Sequence, residues 1–229
     1  MIKEIIVAGI KLYNYSVLEN LTQVTKNLEA NVFTTIEEVY MKTILLAKED
    51  ESVKEVLESL DVTVIAETGI LDAVGQATIF RRAEIERREF FLQFMKIMER
   101  NGYTVYILGE AEKEVALASQ YIADEFSRIK VVGSVALDEI DGERDGIIND
   151  INLLAPDVII SVLPSPMQES FIKEYKSMIL AKIWYGIGEG KIAGAKLTLG
   201  AKIMKLIRKL ALKRYIQEDE KTETAESEE

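Results

Sequence analysis

The sequence has no cysteine and no histidine, and each absence closes off a chemistry. Without cysteine there is no disulfide framework and no thiolate nucleophile; without histidine there is no imidazole base and no imidazole metal ligand. Catalysis in this chain has to run on carboxylates, hydroxyls, amides, lysine, arginine or tyrosine, and no metal site is expected. No uninterrupted apolar run approaches the roughly 20 residues that a membrane-spanning helix needs. The start, Met1-Ile2-Lys3-Glu4, runs straight into a strand-like segment with no signal-peptide pattern, so a cytoplasmic location is expected. A net charge of −11 argues against general nucleic-acid binding, which depends on basic side chains neutralising phosphates.

What is present suits a folded α/β chain. The 229 residues are 48% hydrophobic, enough for one sizeable core. Short apolar runs at 4–8, 31–34, 62–66, 103–108, 129–132, 157–163 and 182–185 alternate with helix-like stretches at 17–29, 35–48, 52–60, 83–100, 113–126, 144–154 and 168–179. That alternation predicts a Rossmann-like, mostly parallel sheet flanked by helices. Ser16 and either Asp50 or Ser52 are positioned to cap helices. No repeat and no Pro/Gly-rich linker divides the body, so residues 1–195 are read as one domain.

Charge is distributed unevenly beyond that point. Residues 191–214 carry eight basic side chains and no acid, whereas 217–229 carry seven acids and one lysine. Residues 196–217 are read as a basic amphipathic helix, with Ile203, Leu206, Ile207 and Leu210 at helical spacing beside Lys202, Lys205, Arg208, Lys209, Lys213 and Arg214. Such a helix suits docking on an anionic membrane surface, where each basic side chain is worth about 1 kcal/mol. The acidic residues 218–229 are expected to be disordered.

Three segments carry candidate chemistry. Tyr103-Thr104-Val105-Tyr106-Ile107-Leu108-Gly109 ends a strand on a glycine turn before an Ala-rich helix, where a ligand or a tight structural turn are equally compatible. All three prolines lie between 156 and 166, and Pro164-Ser165-Pro166 leads into a helix whose first turn holds Gln168 and Glu169. These two suit either sugar recognition or simple capping. Trp184-Tyr185-Gly186-Ile187-Gly188-Glu189-Gly190 offers bare backbone that a diphosphate could approach, or a flexible turn. It is neither a Walker loop nor a full dinucleotide fingerprint, which disfavours a nucleotide-dependent oxidoreductase.

The ordered series of the Y-I-L-G turn, Ile147-Ile148-Asn149-Asp150-Ile151-Asn152, Pro156-Asp157-Val158-Ile159-Ile160, Pro166-Met167-Gln168-Glu169 and the glycines of 186–194 resembles the WecG/TagA/CpsF family of glycosyltransferases. The resemblance implies transfer of an N-acetylmannosamine-like sugar or hexose from a UDP-sugar to a polyprenyl-diphosphate-linked acceptor. The product would be a cell-surface polymer such as teichoic acid or capsule. It implies no cofactor beyond the donor, no obligatory metal, and an enzyme peripheral on the inner face of the membrane. Homo-oligomerisation is left open. By position the family's T-x-N element corresponds to Thr34-Thr35-Ile36, and its catalytic Asp falls at Glu67 or Thr68, of which Glu67 alone can act as a base. Thr34 and Gln168 become sugar contacts, and Pro166 and Glu169 line the same loop. Gly109, Gly186, Gly188 and Gly190 lie near the diphosphate. The family's phosphate-binding Arg falls near Glu84, leaving Arg81 or Arg82 as substitutes, with Arg87 and Arg88 close by. The family's lysine before Q-E is Met167, and its later R-A-P reads Lys196-Leu197-Thr198. These departures imply either a divergent transferase or a homologue that binds without catalysing.

Overall fold

The computed structural model describes residues 3–139, 145–188, 192 and 199–226. The chain opens with a hairpin of β1 (Glu4–Val7) and β2 (Ile10–Tyr13), which turns through Ala8 and Gly9. Both turn residues have positive φ, the geometry that suits a two-residue hairpin loop. Then follow α1 (Val17–Glu29), β3 (Thr34–Val39), α2 (Met41–Glu49), α3 (Glu51–Glu58), β4 (Val62–Ile65), α4 (Thr68–Ala73), α5 (Ile79–Glu86), α6 (Glu89–Asn101) and β5 (Thr104–Gly109). The second half holds α7 (Glu112–Glu125), β6 (Lys130–Ala136), α8 (Asp145–Leu154), β7 (Val158–Ser161), α9 (Met167–Tyr175), β8 (Ile183–Gly186) and α10 (Leu199–Glu226).

Six strands form one sheet in the order β4-β3-β8-β7-β5-β6, and every neighbouring pair is parallel. The expected α/β architecture is therefore present. One face is covered by α1, α6 and α7 through Leu21, Phe91, Phe94, Ala118 and Ile122 against Ile36, Ile107, Ile160 and Tyr185. On the other, α8 and α9 pack Ile148, Ile151, Phe171 and Ile172 on Tyr106, Ile159 and Trp184, while α2, α3, α10 and the hairpin gather around Val39 and Ile65. Because β5 leads into a helix on the first face and its neighbour β7 into one on the second, their loops diverge at the carboxyl edge. Crevices of that kind are where open parallel sheets bind ligands.

The amino edge is closed by two similar clamps. Asp61 Oδ2 accepts the Thr35 N–H at 2.8 Å and its hydroxyl at 2.7 Å, and Asp157 Oδ2 accepts the Thr104 N–H at 2.9 Å and its hydroxyl at 3.0 Å. Burial alone would raise the Asp157 pKa, but Lys182 and Thr104 outweigh it and leave the carboxyl below its ordinary value. Its stabilisation is present above the ordinary carboxylate range and is lost as pH falls through the lowered value. Asp157→Ala is expected to cost about 1–3 kcal/mol at neutral pH, with the gap from wild type closing in acid, as urea unfolding at both pH values will show.

Local signals explain both the agreements and the differences. Ser16 and Glu19 form a reciprocal capping box on α1, and Asp50 caps α3 through the Ser52 N–H. Residues 34–39, expected to end a strand and begin a helix, instead form the whole of β3, with all six residues buried. The acids Glu37 and Glu38 disguised a strand covered on both faces. The stretch 83–100 is split into α5 and α6 by Arg88, whose φ of 51° breaks the helical path. At the C-terminus α10 does not stop at residue 217: it runs to Glu226, correcting the expectation of disorder for 218–226. Arg214 pairs with Glu218 one turn on, and Asp219 is held by Lys48 at 2.5 Å, so these two acids are tied in rather than repelled. Residues 196–198 and 227–229 lie outside the described residues. Among the described residues no helix is long and apolar enough to cross a membrane.

Candidate functional site at the carboxyl edge of the sheet

Polar groups concentrate where β3, β4, β7 and β8 end. Just past β4 the site begins with Glu67, half-buried at the start of α4, whose Oε2 accepts the N–H of Met41 at 2.9 Å. That N–H is one of the orphan donors at the start of α2, so the carboxylate is held by a helix terminus on the neighbouring strand. On β3 consecutive acids point to opposite faces, as the period of a strand requires.

Glu38 lies under the first face. Its carboxylate accepts the hydroxyls of Tyr40 at 2.6 Å and Tyr185 at 2.9 Å and pairs with Arg88 at 3.4 Å. Burial first, and then the Glu38 charge, raise both phenols well above their ordinary pKa, so they stay protonated donors. Burial works against the Arg88 charge, but the Glu38 carboxylate outweighs it. The guanidinium also stacks over Phe91 and donates to the Ile192 carbonyl at 3.3 Å. Arg88 thus brings a fixed cation to the exit of β8.

Glu37 lies under the other face with the first turn of α9. Gln168 and Glu169 are 2% and 1% exposed, so the amide does not face solvent, while the Glu169 carboxyl still meets its own backbone N–H at the head of the helix. Glu169 Oε1 accepts the Ser165 hydroxyl at 2.7 Å, and Ser165 Oγ lies 3.2 Å from Thr43 Oγ1 at the start of α2. Burial raises the Glu169 pKa against the opposing pull of Ser165, its own backbone N–H and Lys42. Gly186 has a steric reason: a Cβ there would lie 2.5 Å from Gln168 Nε2, so only glycine lets the amide seat on β8.

Residues 5–191 match the model of the glycosyl transferase WecG/TagA/CpsF family. The chain belongs to that family. No curated protein matches it. Membership makes the protein a glycosyltransferase-family chain of cell-surface polymer biosynthesis, with a sugar donor and a lipid-linked acceptor as the family's reactants.

Within this WecG/TagA/CpsF fold the residues expected at the site separate into two groups. Glu67, Gln168, Glu169, Gly186 and Gly188 share the carboxyl edge; Thr68 opens α4 beside Glu67, and Pro166 sits exposed at the head of α9. Gly188 has a φ of +79°, the left-handed backbone that favours glycine, and a Cβ there would make only ordinary contact with the Tyr40 ring at 3.5 Å. Gly190 lies outside the described residues. Thr34 is at the opposite end of β3, about 16 Å from the carboxyl edge at the usual rise per residue, and its hydroxyl bonds the Val32 carbonyl. It cannot serve as a sugar contact there. Gly109 is explained by packing, since a Cβ would lie 2.7 Å from Val115 and 3.0 Å from Val162.

Arg81 and Arg82 are committed elsewhere. Arg81 pairs with Glu84 and donates to Asn14 at 3.0 Å, beside α1, while Arg82 pairs with Asp72. Among the described residues, Arg88 is an arginine that reaches the site, through Glu38 and the Ile192 carbonyl. The sequence offers it among the nearby arginines, behind Arg81 and Arg82, because the split between α5 and α6 that aims it is not visible there. Glu37, Glu38, Tyr40 and Tyr185 were missed; their signal is a pair of acids inside a strand bounded by Ile36 and Val39, where solvated charges do not belong.

Of the basic residues on α10, Lys209 bonds Asp72 at 2.6 Å, Arg214 pairs with Glu218, Arg208 is half-buried and Lys213 is exposed. The side chains of Lys202 and Lys205 lie outside the described residues. Leu212 is fully buried and Tyr215 and Ile216 pack on the same core, while Met204, Ile207 and Leu210 face outward.

Proposed function

We propose that the protein transfers an N-acetylmannosamine-like sugar or a hexose from a UDP-sugar to a polyprenyl-diphosphate-linked acceptor. The observation that carries this reading, beside family membership, is the assembly of a helix-held carboxylate, a cation and the buried Gln168–Glu169 turn on one sheet edge. In this mechanism Glu67 takes the proton of the acceptor hydroxyl as that oxygen attacks the anomeric carbon. The bond from that carbon to the β-phosphate oxygen breaks, UDP leaves with the electron pair, and the anomeric centre inverts. Anchoring by the Met41 N–H fixes the direction of the carboxylate before the acceptor arrives. Arg88 offsets charge on the departing diphosphate, and the Gly186 to Gly188 backbone admits it closely. Neither a metal nor an organic cofactor is part of this reading.

Calorimetric binding of a small UDP-sugar panel, followed by a UDP-release assay with a polyprenyl-diphosphate-sugar mimic, tests it. Release identifies the donor and the activity. Binding without release identifies a homologue that retains the pocket alone, and silence across the panel overturns the proposal.

The outward face of α10 is proposed to rest on the inner face of the membrane. Two exposed apolar residues, Ile207 and Leu210, and the exposed Lys213 suit an interfacial helix. The double variant Ile207→Glu, Leu210→Glu is expected to lose most binding to vesicles containing anionic lipid without changing the unfolding midpoint. Undiminished co-sedimentation with the vesicles would exclude this docking face.

A further inference from the structure

Glu37 takes no part in the mechanism above, yet it is more deeply buried than its neighbour Glu38. Sheet register sets it between Gly186 of β8 and Thr63 of β4. The Gln168 amide presses on the same glycine, its Oε1 only 2.8 Å from where a Cβ would stand. Around this point Glu37 Oε1, Gln168 Oε1 and Glu169 Oε2 are all buried without a hydrogen-bond partner. The three orphan oxygens are acceptors, and acceptors cannot satisfy one another. Two ionised carboxylates this far from water would each cost several kcal/mol and repel as well. One proton on Glu37 removes a charge and creates the missing donor in the same step.

The electrostatics agree with the geometry. Burial first, and the Glu169 charge second, push the Glu37 carboxyl well above its ordinary pKa; Gln168 and Trp184 offset this only in part. The charged groups acting on the pair are Glu169 from α9 and, toward Glu169, Lys42 from α2.

We propose that Glu37 is a positioning residue that works with its carboxyl protonated, donating a hydrogen bond that fixes Gln168 and Glu169, and through Glu169 the Ser165 loop, at the mouth of the transfer site. The inference rests on the glycosyltransferase reading. Loss of the proton at alkaline pH leaves adjacent carboxylates beneath α9 and loosens the loop, so turnover acquires an alkaline limb that belongs to Glu37. Stability follows the same sign. The native chain holds a proton that the unfolded chain releases above the ordinary carboxylate range, so this contribution is full below that range and declines as pH rises toward the raised native value.

Glu37→Gln keeps a donor and cannot ionise, whereas Glu37→Ala keeps neither donor nor volume. Wild type is expected to show the infrared carbonyl band of a protonated carboxyl at neutral pH, and Glu37→Gln to lose it. In UDP release Glu37→Gln should retain most of the turnover and hold it into alkaline pH, while Glu37→Ala falls about 10²-fold through misplacement of the site. The Gln variant should also unfold at a midpoint less dependent on alkaline pH. Absence of the band in wild type, or a Gln variant as inactive as the Ala variant, overturns the proposal. If wild type releases no UDP with any substrate pair, the transferase reading fails separately. Positioning is then decided by the band together with hydrogen exchange at Ser170, whose N–H bonds the Pro166 carbonyl: faster exchange at alkaline pH in wild type but not in Glu37→Gln supports it, and equal exchange refutes it.

Discussion

Glu67→Gln is expected to lower turnover by about 10²–10⁴-fold while leaving UDP-sugar affinity nearly intact. The amide keeps the size of the carboxylate and still offers an oxygen to the Met41 N–H, so the start of α2 and the edge around it should not move. What it loses is the capacity to take a proton from the acceptor. The prediction is therefore a fall in kcat with little change in donor binding, and single-turnover kinetics beside calorimetry separate the two. A variant with unchanged turnover would remove Glu67 from the role of base.

Leu212→Asp is expected to be the most damaging substitution outside the site. Truncation of a fully buried leucine to alanine typically costs about 2–5 kcal/mol, and a carboxylate in the same place adds the cost of burying a charge. Leu212 stands in one apolar cluster with Val39, Met41, Ile65 and Ile70, so its replacement detaches α10 and uncovers the ends of β3 and β4 together. The expected result is an unfolding midpoint lowered by many degrees, with hydrogen exchange rising in α2 and α4 as well as in α10. If α10 alone becomes labile, the helix is an appendage and not part of the core. The same reasoning makes removal of the whole C-terminal segment a poor test of membrane binding, since it takes Leu212 away with the lipid-facing residues.

How far the sequence could be read depended on whether a segment's physics was local. α1 was legible to the residue because its start is a capping box and its apolar stripe has helical spacing. The parallel sheet was legible because β5, β7 and β8 are short apolar runs between helices. β3 was not legible. Apart from Tyr40, the groups that meet Glu37 and Glu38 stand far along the chain, Gln168, Trp184, Tyr185 and Arg88, and no local propensity announces partners 50 to 147 residues away. Reading β3 too early carried the error into the site, placing Thr34 at the wrong end of the sheet. Gln168 and Glu169 were found because they follow prolines at the end of an apolar strand, but their burial needed the third dimension. Gly186 shows the same limit: its sequence neighbours suggest backbone freedom, whereas the reason for it is an amide from another element.

The seating of α10 has a mechanical consequence. Leu212 in the core, Lys209 on Asp72 and Asp219 on Lys48 fasten successive turns of the helix to the domain. A bilayer that takes its outward side therefore supports the protein on a stand and not on a leash. The height of the domain above the lipid is then set by the helix diameter, about 10–12 Å, and its tilt by the angle at which the helix is fastened. On the proposed docking, a lipid-borne acceptor would rise to a mouth of fixed orientation, and lengthening the chain before residue 199 should not extend the protein's reach.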